Sequence, residues 1–334
     1  FMAVLNYYFF VGEVVFCILY VLVKYVIREQ TYIWKEKVFL IGRTAVEGIL
    51  GVLLSSFFLL PSLLAVSANE RVGEMVHGVG LLLYPDWQTY AALLKSIFLP
   101  PDLISRATIF ATEQGAVASV SLYLPVFAVS GVIAAFAAKK GSVFLRRLCI
   151  LCAAFAVIPV CNSLFSALNA AYYARWFYMP VLCMAALTAA AVAEFDKRAF
   201  SIGTGVCIGG YLILLAADVL SLTVSGTLHD ILEIRERALY RMELVMGGPG
   251  LLVLVYLVWI LGKDKKGRYV GTMLALTAAG CVCMAVTHIY AGYSAVSDDG
   301  RKAYRMQKPF GMLADEADGF YRVETDQTSE DRLV

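Results

Sequence analysis

Charge is what this sequence lacks. Only 16% of its 334 residues are Asp, Glu, Lys or Arg, and 60% are hydrophobic. An ordinary soluble domain carries about 25% charged and about 45–50% apolar residues. So little charge excludes a solvated globular surface over most of the chain. The apolar surplus exceeds what one soluble core of this length buries, and a bilayer is its natural solvent. A nucleotide-cradling glycine loop, an internal repeat, a low-complexity tract and a signal peptide with a cleavage site are absent too. The net charge of +2 carries little information, because the placement of the charges matters more than their sum. Nothing in it marks nucleic acid as a partner.

The eight cysteines (Cys17, Cys149, Cys152, Cys161, Cys183, Cys207, Cys281 and Cys283) all fall inside apolar blocks. Cys149-x-x-Cys152 has the spacing of a redox or zinc motif but no second ligand pair. Small, polarizable packing residues are the reading that its Leu and Ala neighbours favour. The cysteines are not expected to form a metal or redox site, no resident cofactor is assigned, and dependence on a divalent metal is left open.

The apolar residues come in blocks of about 20, enough to cross about 30 Å of hydrocarbon at 1.5 Å per residue. The blocks are 3–27, 38–66, 119–138, 148–168, 176–195, 200–224, 244–262 and 269–292. The expected fold is an all-α polytopic transmembrane bundle of about eight spans over 1–292. Residues 293–334 open a polar, soluble segment. The chain begins Phe1-Met2-Ala3 and stops in polar sequence, which reads as a piece of a longer protein lacking sequence at both ends.

Basic residues give the direction. One alternating set of connections is dense in them: Lys24, Arg28, Lys35, Lys37 and Arg43; Lys139, Lys140, Arg146 and Arg147; Lys197 and Arg198; Lys263, Lys265, Lys266 and Arg268. The other set is sparse and spread over longer loops: Arg71, Lys95, Arg106, Arg175, Arg235, Arg237 and Arg241. The positive-inside rule puts the dense set in the cytoplasm. The long loops, about 67–118 and 225–243, and both ends of the chain then lie outside. Within the first loop, Trp87, Tyr90, Leu94, Ile97 and Phe98 recur at helical spacing between two turn signals, Tyr84-Pro85-Asp86-Trp87 and Leu99-Pro100-Pro101-Asp102. This predicts a short interfacial helix on the outer face. Glu233 and Arg237 are spaced for an i,i+4 pair in the second loop. The glycines of 202–210 fall in a span, where they allow close helix contact.

Ionisable residues inside spans are candidates by default because they are costly there. Glu13, Arg43, Glu47, Asp218 and His288 qualify, and the i,i+4 spacing of Arg43 and Glu47 predicts a private ion pair. The richest segment is 162–178: a helix end, a very short outer turn and a helix start. It gathers Asn162, Asn169, Tyr172, Tyr173, Arg175, Trp176 and Tyr178. An aromatic belt with a snorkelling Arg is one reading. The other is a polar floor for an anionic, partly membrane-embedded ligand, since a guanidinium donates paired hydrogen bonds to phosphate and aromatic faces suit a sugar or lipid chain. Glu70, Arg71, Asp86 and Asp102 are secondary candidates in the outer loop, and Glu74 and Glu113 add further carboxylates there. Each carboxylate could serve as a general base or a metal ligand, and is more ordinarily a solvated surface charge.

In this order the chain carries Asn6-Tyr7-Tyr8, Leu59-Leu60-Pro61, Phe98-Leu99-Pro100, Phe165-Ser166-Ala167 with Arg175-Trp176, and Phe320-Tyr321-Arg322-Val323-Glu324. The series resembles the bacterial YfhO family of polytopic membrane proteins over nearly the whole chain, with Ser166-Ala167 standing where the family has Asn-Gly. The resemblance implies a GT-C-like membrane glycosyltransferase of the bacterial cytoplasmic membrane. Such an enzyme moves a sugar from a polyprenyl-phosphate donor onto a cell-envelope polymer, such as a teichoic acid, at the outer face. Its catalytic Asp would lie upstream of residue 1. The expected partners are the bilayer, the lipid-linked sugar and the polymer acceptor. A lipid-carrier flippase or transporter, motivated by the in-span charges, and a non-catalytic membrane scaffold are the competing readings.

Overall fold

A computed structural model describes residues 7–27, 34–67, 77–102, 120–138, 141–169, 172–223, 234, 237–263 and 266–313. Every regular element among them is helical. In chain order these are α1 (Tyr7–Val21, continued by a π-helical turn over Leu22–Ile27), α2 (Trp34–Ser67), α3 (Gln88–Phe98), α4 (Val126–Ala137), α5 (Val143–Val157), α6 (Pro159–Ser163), α7 (Tyr178–Ala193), α8 (Lys197–Thr223), α9 (Arg237–Gly262) and α10 (Lys266–Leu313). Short 3-10 turns lie at Gly78–Leu81, Leu164–Ser166 and Arg175–Phe177.

Six stretches are long and apolar enough to cross a bilayer: Phe9–Val26, Trp34–Ser62, Arg175–Ala193, Lys197–Ser221, Arg237–Gly262 and Lys266–Thr287. A seventh is α5 with Pro159–Ser166, a pair bent by 100°. The remaining expected span, 119–138, contains only the 12-residue α4, preceded by an irregular stretch at 120–125. Val120, Leu122 and Pro125 in that stretch are buried, which is the condition under which non-helical backbone is tolerated at membrane depth.

Two compact units divide the chain, 1–281 and 282–334. In the second, the described residues are the later part of α10. In the first, α4 is the hub, packed against α7, α8, α9 and α3. Small residues bring these helices together. A Cβ on Gly203 of α8 would strike the Ser130 carbonyl of α4, and one on Gly131 would meet the Thr188 side chain of α7. Thr188 Oγ1 donates to the Ala128 carbonyl at 3.0 Å, a polar contact between α7 and α4. Of the glycines of 202–210, Gly203 and Gly210 serve close packing, as their position in a span suggested, whereas nothing lies within 4 Å of where a Cβ on Gly205 or Gly209 would be. Tyrosines join α8 to α9: Tyr240 donates to the Leu214 carbonyl at 2.9 Å, and Tyr211 to the Leu244 carbonyl.

By contrast, α2 is exposed along most of its length, with Leu54 79% and Phe57 73% accessible. Its Arg43 Nε and Glu47 Oε1 are 2.8 Å apart, the private pair that the spacing predicts. Glu233, the partner expected for Arg237, lies outside the described residues, as does the side chain of His288. Arg237 instead donates to Ser221 Oγ at 3.3 Å, and Arg241 Nε donates to Asp218 Oδ2 at 2.9 Å.

Candidate functional site

The candidate site forms where the α5–α6 pair breaks. Pro159 fits the first turn of a helix because its missing N–H has no partner there anyway. A proline also pushes the preceding residue out of helical geometry, and Ile158 is accordingly extended, at φ −97° and ψ 117°. The chain turns by 100° at this point. The break frees carbonyls at the end of α5, and the Tyr84 hydroxyl donates to one of them, that of Ala156, at 2.9 Å. The second half is stopped by two left-handed residues, Ala167 at φ 55° and Leu168 at φ 66°. The Leu168 N–H returns to the Ser163 carbonyl at 2.7 Å, as in a helix end closed by a left-handed residue.

This turn brings Phe165 against Trp176. Their rings stack in parallel, 3.8 Å apart at 4°. The Trp176 indole N–H donates to Asn162 Oδ1 at 2.7 Å, and both residues are buried. Gly12 lets α1 approach, since a Cβ there would sit 3.5 Å from Phe165. Above this aromatic floor Arg175 is exposed, with its guanidinium 5.4 Å from the Tyr173 ring centre. Ser166, Tyr173, Arg175, Trp176 and Tyr178 line a shallow pocket against α1, with space for about one water molecule. At its edge the Tyr178 hydroxyl donates to Glu13 Oε1 at 3.5 Å. Glu13 is thus a carboxylate that a pocket residue touches.

Behind the pocket stands a tyrosine buttress. The Tyr84 ring meets Tyr90 at 5.4 Å and Tyr172 at 5.3 Å, both edge-on. The Tyr84 backbone N–H donates to the Tyr90 hydroxyl at 3.1 Å. Burial, with lesser contributions from neighbouring tyrosines, raises the Tyr84 and Tyr172 phenols above the ordinary range. Both remain protonated at any physiological pH, and Tyr84 is kept as a donor.

A second polar cluster lies deeper. Lys95 of α3 ion-pairs with Asp102 and with Glu243 of α9, the latter at 2.7 Å. The three are 2%, 7% and 3% exposed. The Tyr240 ring centre is 5.9 Å from the Lys95 ammonium. The side of α3 holding Gln88, Thr89, Lys95 and Ser96 is buried, whereas Trp87 and Leu94 are exposed.

The expected residues divide as follows. Arg175, Tyr173 and Trp176 line the pocket. Asn162 holds Trp176 from below, and Tyr172 belongs to the buttress. Asn169 is half-buried in the turn, its backbone N–H donating to the Ser166 carbonyl at 3.3 Å. Asp86 is half-buried, and its carbonyl accepts from the Thr89 N–H at 3.0 Å. Asp102 joins the deep cluster. Glu70, Arg71, Glu74 and Glu113 lie outside the described residues. Sequence reasoning named neither the site roles of Lys95 and Glu243 nor the Tyr84–Tyr90 buttress. A single lysine in an otherwise uncharged 88–98 helix was the one visible signal. Among the described residues no group of three or more His, Cys, Asp or Glu is placed to hold a metal ion.

A chain whose described regular elements are all helical, six or seven of them long and apolar enough to cross a bilayer, is a polytopic membrane protein. The family model "Bacterial membrane protein YfhO" matches residues 1–331, and the chain belongs to that family. No curated protein and no solved structure matches it.

Proposed function

We propose that this YfhO-family protein is a membrane glycosyltransferase. It takes a sugar from a polyprenyl-phosphate donor and passes it to a cell-envelope polymer of the teichoic-acid type, at the outer face. The observation that carries this reading is the exposed Arg175 standing over the Phe165–Trp176 stack at the break between two membrane helices. A lipid-linked donor presents its phosphate at headgroup level and its sugar beside it. In the transfer, the acceptor hydroxyl attacks the anomeric carbon and gives its proton to a base. The bond from that carbon to the phosphate oxygen breaks, and the polyprenyl phosphate leaves with the added negative charge. A fixed guanidinium stabilises that charge as it develops, and aromatic faces suit the sugar ring. The reading also draws on the distribution of Lys and Arg, which puts the 162–178 turn on the outer side.

Arg175→Ala in the full-length protein should lower envelope glycosylation by about 10²–10³-fold, the usual scale for losing one charge-stabilising donor. Expression should be normal, because Arg175 is exposed. Arg175→Lys keeps the charge but not the paired donors and should retain an intermediate rate. Undiminished glycosylation in Arg175→Ala would remove Arg175 from the mechanism.

A further inference from the structure

The deep cluster and the tyrosine buttress behind the pocket sit at opposite ends of one short helix. At its C-terminal end, α3 carries Lys95 into contact with Asp102 and Glu243. Phe98 packs so closely on α8 that a Cβ on Gly210 would be 2.7 Å from its ring. Leu99, fully buried, is 3.4 Å from where a Cβ on Gly247 of α9 would be. At its N-terminal end α3 carries Tyr90, which touches Tyr84. Tyr84 touches Tyr172, next in sequence to the pocket residue Tyr173. Eleven helical residues form a stiff rod of about 16 Å. A buried cation with two carboxylates is stable only when all three are seated, because any one left alone keeps its desolvation cost without its attraction. Such a cluster holds α3 in one place and resists partial withdrawal.

We propose that Lys95, Asp102 and Glu243 form a latch that seats α3 in the seam between α8 and α9, and that through Tyr90, Tyr84 and Tyr172 this latch positions the Arg175 turn. The three are positioning residues for the sugar transfer proposed above, and the inference rests on that reading. The latch itself has a readout independent of activity.

Ala92 lies on α3 between the two anchors and is 3% exposed. In purified full-length protein, Ala92→Cys should be protected from a small water-soluble maleimide, with labelling resolved by peptide mapping so that native cysteines do not interfere. Adding Lys95→Met, of similar length without the charge, should raise labelling at residue 92 by about tenfold or more as α3 opens. In kinetic assays it should raise KM for the lipid-linked donor more than it lowers kcat. Lys95→Arg keeps the cation and should restore both protection and KM. Unchanged labelling in Lys95→Met overturns the latch. Increased labelling with unchanged KM and kcat overturns the positioning role. If Lys95→Met does not yield folded protein, Glu243→Leu, which removes the oxygens that face Lys95, is read in the same way: raised labelling supports the latch and unchanged labelling overturns it. A protein whose labelling responds as expected but which transfers no sugar from polyprenyl-phosphate donors retains the latch and loses the transferase reading.

Discussion

Ala167 carries a backbone conformation suited to another residue. It holds φ 55° and ψ 41°, where a Cβ costs about 1–2 kcal/mol. The family resemblance puts Asn-Gly where Ser166-Ala167 stands, so glycine at 167, and the structure supplies a reason: the turn that ends the bent span needs a left-handed residue there, a conformation glycine adopts freely. Ala167→Gly should therefore stabilise the protein. After subtracting glycine's extra freedom in the unfolded chain, the gain is about 0.5–1 kcal/mol, measurable as a rise in Tm in detergent. Asn162→Ala works in the opposite direction. It leaves the buried Trp176 N–H without its acceptor and should cost about 1–3 kcal/mol. Indole fluorescence would report the changed environment. At this scale the sequence was partly legible. Arg175-Trp176 stood out because charge is rare beside so many aromatics. That Asn162 braces the tryptophan rather than faces a ligand depends on a turn that no local pattern specifies.

Among the helices, a paired test separates contact glycines from idle ones. Gly203 meets the backbone of α4, while nothing lies within 4 Å of where a Cβ on Gly205 would be. Gly203→Ala should destabilise by about 1–3 kcal/mol through overpacking. Gly205→Ala should be neutral or slightly stabilising, since alanine is the better helix former. Equal Tm values for the two variants would mean that α8 and α4 are not in close contact. The helix expected at 87–98 is present over 88–98, but periodicity finds the stripe without saying what faces it. In water an apolar stripe turns inward. Here the stripe splits: Trp87 and Leu94 are exposed while Phe98 is buried against α8, and Lys95 is buried against Glu243 of α9. The bend between α5 and α6 was hidden for a similar reason: hydropathy averages smoothly across Pro159, although the proline itself was in view.

The all-helical, many-spanning character was the most legible property of the whole molecule, because it depends only on how apolar residues are spaced along the chain; the count of about eight was less so, since six helices are long enough to cross, the α5–α6 pair is bent and α4 has only 12 residues. The direction proposed for them rests on the Lys/Arg bias and is open to test. Val79→Cys, at a position 78% exposed, should react with a membrane-impermeant maleimide in intact cells. Lys197→Cys, at an exposed position beginning α8, should react only after the membrane is opened. The reverse pattern would invert the molecule and take the Arg175 pocket away from the outer face. The meeting of Lys95 and Asp102 with Glu243 was illegible for the complementary reason. Its members lie on elements distant in sequence, and only the assembled bundle brings them together.

The buried hub α4 bears on how such a protein enters the membrane. Its 12 residues cover about 18 Å, short of the roughly 30 Å of hydrocarbon that a segment must cross on its own. Three of the helices that clasp it, α7, α8 and α9, follow it in the chain. While the protein is being made, α4 leaves the ribosome before those partners exist. Its final depth must therefore be reached late, when the later helices close around it, so biogenesis is cooperative at its centre rather than strictly sequential.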